Sequence, residues 1–173
     1  MPQTFFQIST ARESDYEAIL AVYARARVFM AEHGNPDQWG KNKPLKEDVR
    51  KDILNGNSRV LRTFDGEIAG CFSLFPGPDE TYFEIAGSWL SDSPYLAIHK
   101  VASSGKYKGV FAAIVSYCAQ FGTDLRIDTH EQNTVMQNAI LKQGFQRCGI
   151  IRLKNGEPRI AFQRIRGTKI SEE

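Results

Sequence analysis

A strand, a helix and a second strand follow one another over residues 95–129, and this unit limits the possible folds more than any other segment. Residues 95–102 are apolar and predict the first strand, while residues 109–120 place their apolar side chains at helical spacing. Residues 125–129 predict the second strand. Two strands that are joined through a helix run parallel, so the sequence predicts one parallel pair.

Antiparallel hairpins are predicted on both sides of that unit. Asp65-Gly66 separates two apolar, β-rich segments and is the two-residue signal of a type I′ turn. Asn155-Gly156 separates another such pair of segments. The four predicted strands are residues 58–64, 67–75, 145–153 and 158–165.

Helical spacing and turn signals predict the remaining elements. A first helix begins near Thr10 or Ser14, each of which has a glutamate at capping-box spacing, and ends near His33. The other predictions are helices over residues 44–54 and 133–143 and strands over residues 5–9 and 81–85. This order predicts a single domain over residues 1–165, with a frayed tail over residues 166–173. The fold class is mixed α/β (α+β), with about seven mostly antiparallel strands, one central parallel pair and about four helices.

Charge and hydropathy exclude several classes of protein. The net charge is +2, from 22 basic and 20 acidic residues that are mixed along the chain, which argues against nucleic-acid binding. No apolar run approaches the roughly 20 residues that cross a bilayer, and the first ten residues lack the features of a signal peptide. We therefore expect a cytoplasmic protein with no membrane or nucleic-acid partner.

The cysteines and histidines form no metal-binding pattern. Cys71, Cys118 and Cys148 are widely spaced and lie in apolar segments, so we expect buried free thiols. The three histidines show neither the H-E-x-x-H pattern nor a cysteine at zinc spacing. The sequence predicts no metal site.

The segment between the predicted strand and helix of the central unit is suited to anions. Amides in the first turn of a helix have no intrahelical acceptor, and Lys106 and Lys108 add positive charge. Gly109 allows the backbone to approach a phosphate closely. The spacing fits neither a P-loop nor G-x-G-x-x-G, which disfavours nucleotide hydrolysis and dinucleotide binding. A solvated connection is the alternative interpretation of such a lysine-rich turn.

The same segment resembles motif A of the GNAT acetyltransferases, Gln/Arg-x-x-Gly-x-Gly/Ala, in the form Lys106-x-x-Gly109-x-Phe111. Lys106 stands where the family has Gln or Arg, and Phe111 replaces a small residue. Residues 125–133 followed by Gln143-Gly144-Phe145 are similar to the family's next strand, its Asn-led helix and its Gly-Phe strand start. The resemblance implies a GNAT-like fold with a splayed parallel pair, and acetyl-coenzyme A as the cofactor. The cofactor-binding residues that it implies are Val101, Lys106, Tyr107, Lys108, Gly109, Val110, Phe111 and Asn133.

The resemblance also implies direct attack of an amine on the thioester. The Val101 amide would donate a hydrogen bond to the oxyanion that forms. The attacking amine must lose a proton, and His99 and His130 are the candidate bases. Each histidine could instead be a packed side chain, and His130 could cap the following helix. Many family members have a tyrosine as the acid where this chain has Ile140.

The acyl acceptor is predicted only as a primary amine, on a small molecule or a protein. The candidate substrate residues are Phe29, Gln38, Trp39 and Tyr95, although Trp39 could simply anchor its loop and Tyr95 could be an ordinary strand aromatic. A homodimer is compatible with the sequence. Three alternatives remain. The first is a sensor that binds acyl-coenzyme A without transfer, the second is an enzyme that uses another acyl-coenzyme A or a hydroxyl acceptor, and the third is a structural interaction protein.

Overall fold

The computed structural model describes residues 5–169, which contain eight β-strands and four α-helices. Among these residues, no helix combines the length and the apolar character needed to cross a lipid bilayer. The element order is the predicted one. The strands are β1 Gln7–Thr10, β2 Ser58–Arg62, β3 Ile68–Pro76, β4 Ala86–Gly87, β5 Tyr95–Ser103, β6 Asp124–Thr129, β7 Gln146–Arg152 and β8 Pro158–Arg164. The helices are α1 Tyr16–Glu32, α2 Lys46–Leu54, α3 Val110–Ala119 and α4 Thr134–Lys142.

The strands form one sheet in the order β1-β2-β3-β5-β6-β8-β7-β4. β5 and β6 are parallel, with Tyr95 opposite Asp124 and Ile98 opposite Ile127. β1 with β2, β2 with β3, β6 with β8, β7 with β8 and β4 with β7 are antiparallel. The predicted mixed fold with one parallel pair is therefore confirmed, with eight strands in place of about seven.

The first of two compact units contains the described residues 5–74 together with residues 99–114. In its core, one face of α1 and one face of α2 pack on β2 and β3, as expected for amphipathic helices that cover a sheet. Tyr16, Leu20 and Trp39 pack against this core while remaining partly exposed. The buried members are Ala11, Ile19, Val22, Tyr23, Ala26, Val49, Ile53, Val60, Ile68, Cys71 and Ala102.

The second unit contains residues 75–98 and the described residues 115–169. Its core is built from Tyr82, Ala97, Ile151 and Ala161, with partly buried residues of the segment 85–95 packed against them. The segment that follows β8 is hydrogen-bonded rather than free at its start, because the amide of Arg166 donates to Asp124 Oδ1 at 2.8 Å. Residues 170–173 of the predicted tail lie outside the described residues.

The type I′ prediction for the Asp65-Gly66 turn is wrong, although the hairpin itself is confirmed. In the β2–β3 connection the Gly66 amide donates to the Thr63 carbonyl at 3.0 Å, and the Thr63 amide donates to the Glu67 carbonyl at 2.9 Å. Gly66 has a φ of +86°, whereas Asp65 is not among the residues with positive φ. A type I′ turn needs positive φ at both central residues, so this is a type I turn with a following left-handed glycine. The Asn155-Gly156 turn has the same hydrogen bonds.

Two further sequence predictions are corrected. Glu80–Tyr82 forms a 3-10 turn, and the strand predicted over residues 81–85 is only the short β4 that follows it. The turn forms because Asp79 accepts a hydrogen bond from the Thr81 amide at 2.9 Å, which offers the backbone an alternative to strand pairing. Cys71 and Cys118 are buried as expected, whereas Cys148 is only partly buried.

Candidate active site

Two serines shape the start of the loop between β5 and α3. Ser103 Oγ accepts a hydrogen bond from the Gly105 amide at 3.1 Å. Ser104 Oγ accepts one from the Lys106 amide at 3.3 Å. The Ser104 amide itself donates to the Ala69 carbonyl at 2.8 Å, which attaches the loop to β3. These bonds fix the backbone before the lysine-containing part of the loop begins.

The end of the loop is the first turn of α3. The Ala113 amide donates to the Gly109 carbonyl at 3.0 Å, at the beginning of the helical hydrogen-bond series. The amides of Val110, Phe111 and Ala112 precede that bond and have no intrahelical acceptor. They lie at the positive end of the helix dipole, which favours an anion. The predicted placement of the loop at a helix N-terminus is confirmed.

Gly109 combines a special backbone conformation with open space. Its φ of +81° lies in the left-handed region, which glycine adopts without steric cost. A Cβ atom added at Gly109 would meet no heavy atom within 4 Å. The residue is therefore required for its conformation, and a phosphate could approach the backbone there.

Gly70 of β3 allows a close contact beneath the loop. A Cβ atom at this position would lie 2.8 Å from the Ala102 carbonyl oxygen and 2.8 Å from Val110 Cγ1. The absence of a side chain thus lets β5 and the start of α3 approach β3. Sequence reasoning overlooked Gly70, although a glycine inside a strand pattern is a signal of close backbone approach.

Glu67 contacts two of the predicted phosphate-loop residues. Its carboxylate accepts hydrogen bonds from Lys106 Nζ at 2.6 Å and from the Tyr107 hydroxyl at 2.7 Å. These two hydrogen bonds lower the pKa of Glu67, and the bond from Lys106 has the larger effect. The hydrogen bond to Glu67 raises the pKa of Tyr107. The Tyr107 ring also packs edge-on against Phe6, with 6.1 Å between centroids. The loop is therefore held to the β2–β3 connection by a carboxylate.

Lys108 differs from Lys106 in its electrostatic surroundings. Its side chain is exposed, and within residues 5–169 no carboxylate oxygen forms an ion pair with it. Lys106, by contrast, shares its charge with Glu67. Lys108 is therefore the lysine whose charge is available to an anion at the start of α3.

β5 contains an irregularity immediately before Val101. Lys100 has a φ of +55°, and no other non-glycine residue within residues 5–169 has a positive φ. Its carbonyl oxygen accepts a hydrogen bond from the Tyr23 hydroxyl at 2.8 Å, and its Nζ lies 2.7 Å from Asp52 Oδ2. In an extended strand His99 and Val101 would share one face, because they are two residues apart, and Lys100 interrupts that alternation.

The two candidate bases have different surroundings. His99 is a half-buried residue of β5. His130 follows β6, and its Nδ1 accepts a hydrogen bond from the Gln132 amide at 3.1 Å. A neutral imidazole has one acceptor nitrogen, so this bond leaves the proton on Nε2. His130 therefore forms a local contact in the turn before α4 and does not cap that helix, whose N-cap is Asn133.

Asn133 and Ile140 lie in the helix after β6. Asn133 caps α4, because its Oδ1 accepts a hydrogen bond from the Met136 amide at 3.1 Å. Ile140 is fully buried, with 0% exposure. An isoleucine cannot donate a proton, so the position of the family's tyrosine has only a packing role in this chain.

The predicted substrate residues of the first unit lie on α1 and the loop after it. Trp39 packs edge-on against Tyr23, with 5.5 Å between centroids, and so anchors its loop to the core. Gln38 Oε1 accepts a hydrogen bond from Asn35 Nδ2 at 3.0 Å. Phe29 is 45% exposed and stacks on His33 at 3.8 Å. An exposed aromatic ring and an amide are thus presented by this segment.

Tyr95 belongs to the second unit. Its hydroxyl accepts a hydrogen bond from the Asp79 amide at 2.7 Å. The Arg126 guanidinium lies 4.0 Å from the Tyr95 ring centroid and 3.9 Å from that of Trp89, which makes a stack of two rings around a cation. These contacts show that Tyr95 has a structural role at the start of β5.

The predicted residues are therefore divided between the two units. The first unit contains the phosphate-loop residues 106–111, His99, Val101 and three of the predicted substrate residues. The second contains Tyr95, His130 and Asn133. Glu67, Gly70, Tyr23, Asp52 and Lys100 were not predicted as site residues.

Comparison with solved structures relates this arrangement to known proteins. A GNAT-family acetyltransferase from Streptococcus agalactiae is 32% identical, with a TM-score of 0.85, over 96% of this chain and 100% of that chain. A GNAT-family acetyltransferase from Listeria monocytogenes is 19% identical, with a TM-score of 0.69, over 92% of this chain and 94% of that chain. The ribosomal-protein-alanine N-acetyltransferase of Brucella melitensis is 19% identical, with a TM-score of 0.61, over 92% and 99%.

The first of these similarities extends to sequence as well as fold. Neither a protein-family model nor a curated protein sequence matches the chain. The two more distant structures share the fold, whereas the streptococcal protein matches along nearly the whole chain at 32% identity. Acyl transfer is the chemistry common to these relatives. The chain belongs to the GNAT family of acetyltransferases.

Proposed function

We propose that the protein is an N-acetyltransferase that transfers the acetyl group of acetyl-coenzyme A directly to a primary amine. The observation that carries the proposal is the start of α3, where amides without intrahelical acceptors follow the open, left-handed Gly109. This arrangement fits a pyrophosphate, because the helix dipole and backbone donors favour negative charge.

The phosphate side of the site is assigned to residues 106–111 and Asn133. The amides from Gly109 to Ala112 would donate to pyrophosphate oxygens, and Lys108 would supply an exposed positive charge. Lys106 and Tyr107 would set the shape of the loop through Glu67. The ring of Phe111 is bulkier than the family's small residue and would restrict how the phosphates lie. Asn133, whose Oδ1 caps α4, would also contact the cofactor.

The acyl chemistry needs a hydrogen-bond donor rather than a protein nucleophile. Acetyl-coenzyme A supplies an activated acyl thioester. The Val101 amide would donate to the carbonyl oxygen as it becomes an oxyanion, an interaction worth roughly 3 to 4 kcal/mol in comparable sites. The oxyanion would appear as the amine nitrogen bonds to the acyl carbon, and the carbon–sulfur bond would break as the carbonyl re-forms.

A histidine is proposed as the base that removes a proton from the attacking amine. A lysine-like amine has a pKa near about 10.4 and must lose a proton before it attacks. His99 is the first candidate base, because it belongs to the same strand as the proposed oxyanion donor Val101, whereas His130 Nδ1 accepts a hydrogen bond from the Gln132 amide. His130 is the second choice. The departing thiolate would take its proton from solvent, since Ile140 has none to give.

The binding site of the acceptor amine is assigned to Phe29, Gln38, Trp39 and Tyr95. The exposed ring of Phe29 and the amide of Gln38 would contact it directly, while Trp39 and Tyr95 would shape the elements around them. The name of the Brucella protein states N-acetylation of an alanine, which supports an amine as the acceptor class. The absence of a basic or acidic bias in the sequence leaves both small molecules and proteins as acceptors. Cytoplasmic location and a homodimer remain predictions from the sequence.

One observation favours a second candidate function. Ile140 offers no acid at the position where many relatives have tyrosine, so a protein that binds acyl-coenzyme A without transfer is the alternative. A transfer assay separates the two. The wild-type protein is incubated with acetyl-coenzyme A and a panel of amines (amino acids, polyamines, aminoglycosides and peptides), and release of the free thiol is measured.

The assay has a matched thioester series. Amine-dependent thiol release, with acetyl faster than propionyl, butyryl or longer chains, would support the N-acetyltransferase. Thiol release that is fastest with a longer acyl group would support an enzyme that uses another acyl-coenzyme A. Tight thioester binding without thiol release for any amine would support the sensor and would contradict the proposal.

A further inference from the structure

The backbone of Lys100 needs an explanation that the proposed function does not give. Its φ of +55° lies within β5, where extended backbone is the rule. For a residue with a Cβ atom, the left-handed conformation is disfavoured by about tenfold or more. Such a conformation persists where surrounding contacts fix it. The contacts of Lys100 are of this kind.

Tyr23 fixes the Lys100 carbonyl. The Tyr23 hydroxyl donates to that oxygen at 2.8 Å across a separation of 77 residues. Tyr23 is only 3% exposed, and its ring is held edge-on by Trp39. Burial raises the pKa of Tyr23 well above its usual value, so the hydroxyl keeps the proton that it donates. The position of the carbonyl is therefore determined by the core.

Asp52 fixes the Lys100 side chain. Lys100 Nζ lies 2.7 Å from Asp52 Oδ2, and the hydroxyl of Ser73 donates to the same oxygen at 2.7 Å. Asp52 and Ser73 are 7% and 1% exposed. Because the carboxylate is largely buried and held by two donors, it restrains the lysine more firmly than a surface ion pair would.

The Lys100 carbonyl and the Val101 amide belong to the same peptide group. That peptide bond is trans, so the group is planar and its C=O and N–H point in opposite directions. A hydrogen bond that holds the carbonyl toward Tyr23 therefore aims the Val101 N–H away from Tyr23. Donation to the carbonyl also polarises the N–H and strengthens it as a donor.

We infer that Tyr23 and Asp52 are positioning residues that orient the Val101 amide as the oxyanion donor. The inference rests on the proposed function, in which that amide stabilises the developing charge. Neither side chain contacts reacting atoms, so both act through Lys100. Loss of either contact lowers kcat and leaves the affinity for coenzyme A nearly unchanged.

Three variants test this role. Tyr23→Phe keeps the ring but loses the hydroxyl, and is expected to lower kcat about three- to tenfold at an unchanged KM for acetyl-coenzyme A. Tyr16→Phe is the control, because Tyr16 lies on the same helix and its ring stacks on Arg50 at 4.0 Å. Lys100→Ala and Lys100→Gly both remove the ion pair, but only glycine adopts positive φ freely.

The glycine variant separates positioning from simple stabilisation. If the ion pair serves to hold the backbone, Lys100→Gly retains a kcat about fivefold or more above that of Lys100→Ala. If the pair only stabilises the fold, the two variants have the same kcat, because the backbone of residue 100 is then held without the lysine side chain. Equal or lower activity of the glycine variant overturns the inference.

A measurement without turnover makes the result independent of the proposed function. Backbone chemical shifts of residues 100 and 101 are recorded by NMR in wild type, Tyr23→Phe and Tyr16→Phe. A change toward extended backbone at Lys100, with a shifted Val101 amide, in Tyr23→Phe alone supports the inference. Unchanged shifts overturn it whatever the activity. Absence of thiol release by wild type, with the expected shifts, contradicts the proposed function and leaves the structural coupling of Tyr23 to Val101 established.

Discussion

Glu67 and Lys106 form an ion pair, with 2.6 Å between the carboxylate Oε1 and Nζ, at the loop that leads into α3. The same carboxylate accepts the hydroxyl of Tyr107 at 2.7 Å. An acidic side chain therefore competes with any incoming phosphate for Lys106. Of the two loop lysines, Lys108 has the charge that is available for binding.

The Glu67→Gln variant should bind coenzyme A more tightly. A neutral amide still accepts from Tyr107 but no longer pairs with Lys106, whose charge becomes available to the phosphates. Both groups are solvent-exposed, so the expected gain is small, about two- to fivefold in Kd at low salt, and it should shrink as salt is added. Glu157→Gln is the matched control, since Glu157 pairs with Arg159 at 3.2 Å in the second unit. Weaker binding by Glu67→Gln would mean that the carboxylate's contribution to loop shape outweighs its competition for charge.

The Gly70→Ala variant should be less stable than wild type. Alanine in place of glycine within a strand normally stabilises by about 0.5 to 1 kcal/mol, because it restricts the unfolded chain. At Gly70 the new Cβ would lie 2.8 Å from a backbone oxygen and from Val110 Cγ1, so the sign should reverse, with a loss of about 1 to 3 kcal/mol. Urea unfolding measures the difference. A variant as stable as wild type would show that β3 and β5 can separate without cost.

The two histidines should differ in their pH profiles. His99→Ala is expected to lower kcat/KM most at low pH, where little free amine exists, because it removes the proposed base. His130→Ala should leave the shape of the profile unchanged and cost about 1 kcal/mol of stability, since the Gln132 amide loses its acceptor. His130→Asn, which can supply an acceptor, is the control for that stability change. A profile altered only in His130→Ala would transfer the role of base to His130.

Thiol reactivity should distinguish the three cysteines. Cys71 and Cys118 are 0% exposed, and burial raises the pKa of Cys71 to about 12. Cys148 is only partly buried, although burial also raises its pKa. A disulfide reagent at mildly alkaline pH should label Cys148 in the folded protein and all three thiols in denaturant. Rapid labelling that persists in Cys148→Ser would contradict the burial of the other two.

The fold could be predicted where the signals are local. Gly109, the apolar spacing after it and the two flanking strands are close in sequence, so they indicated the parallel unit and the start of α3 correctly. The Asp65-Gly66 turn was assigned wrongly because Asp-Gly suits both a type I′ turn and a type I turn with a left-handed glycine. The choice depends on pairing, in which Arg62 lies opposite Ile68.

The site could be predicted only in part for a related reason. The phosphate-loop residues are contiguous and were identified, whereas the contacts that hold them are distant in sequence. Lys106 and Glu67 are 39 residues apart, and Tyr23 and Lys100 are 77 apart. Local spacing says nothing about such pairs. The positive φ of Lys100 had no signal either, because lysine is not a residue that favours it.

Titration calorimetry with acetyl-coenzyme A tests the central claim most directly. Wild type should bind with a micromolar Kd, and Lys108→Ala should weaken binding about fivefold, because it removes an exposed charge next to the phosphates. Lys154→Ala is the matched control, an exposed lysine in the β7–β8 turn with an 84% exposed side chain. The account predicts a loss in Lys108→Ala alone. No binding to wild type, or an equal loss in both variants, would contradict a coenzyme A site at the start of α3.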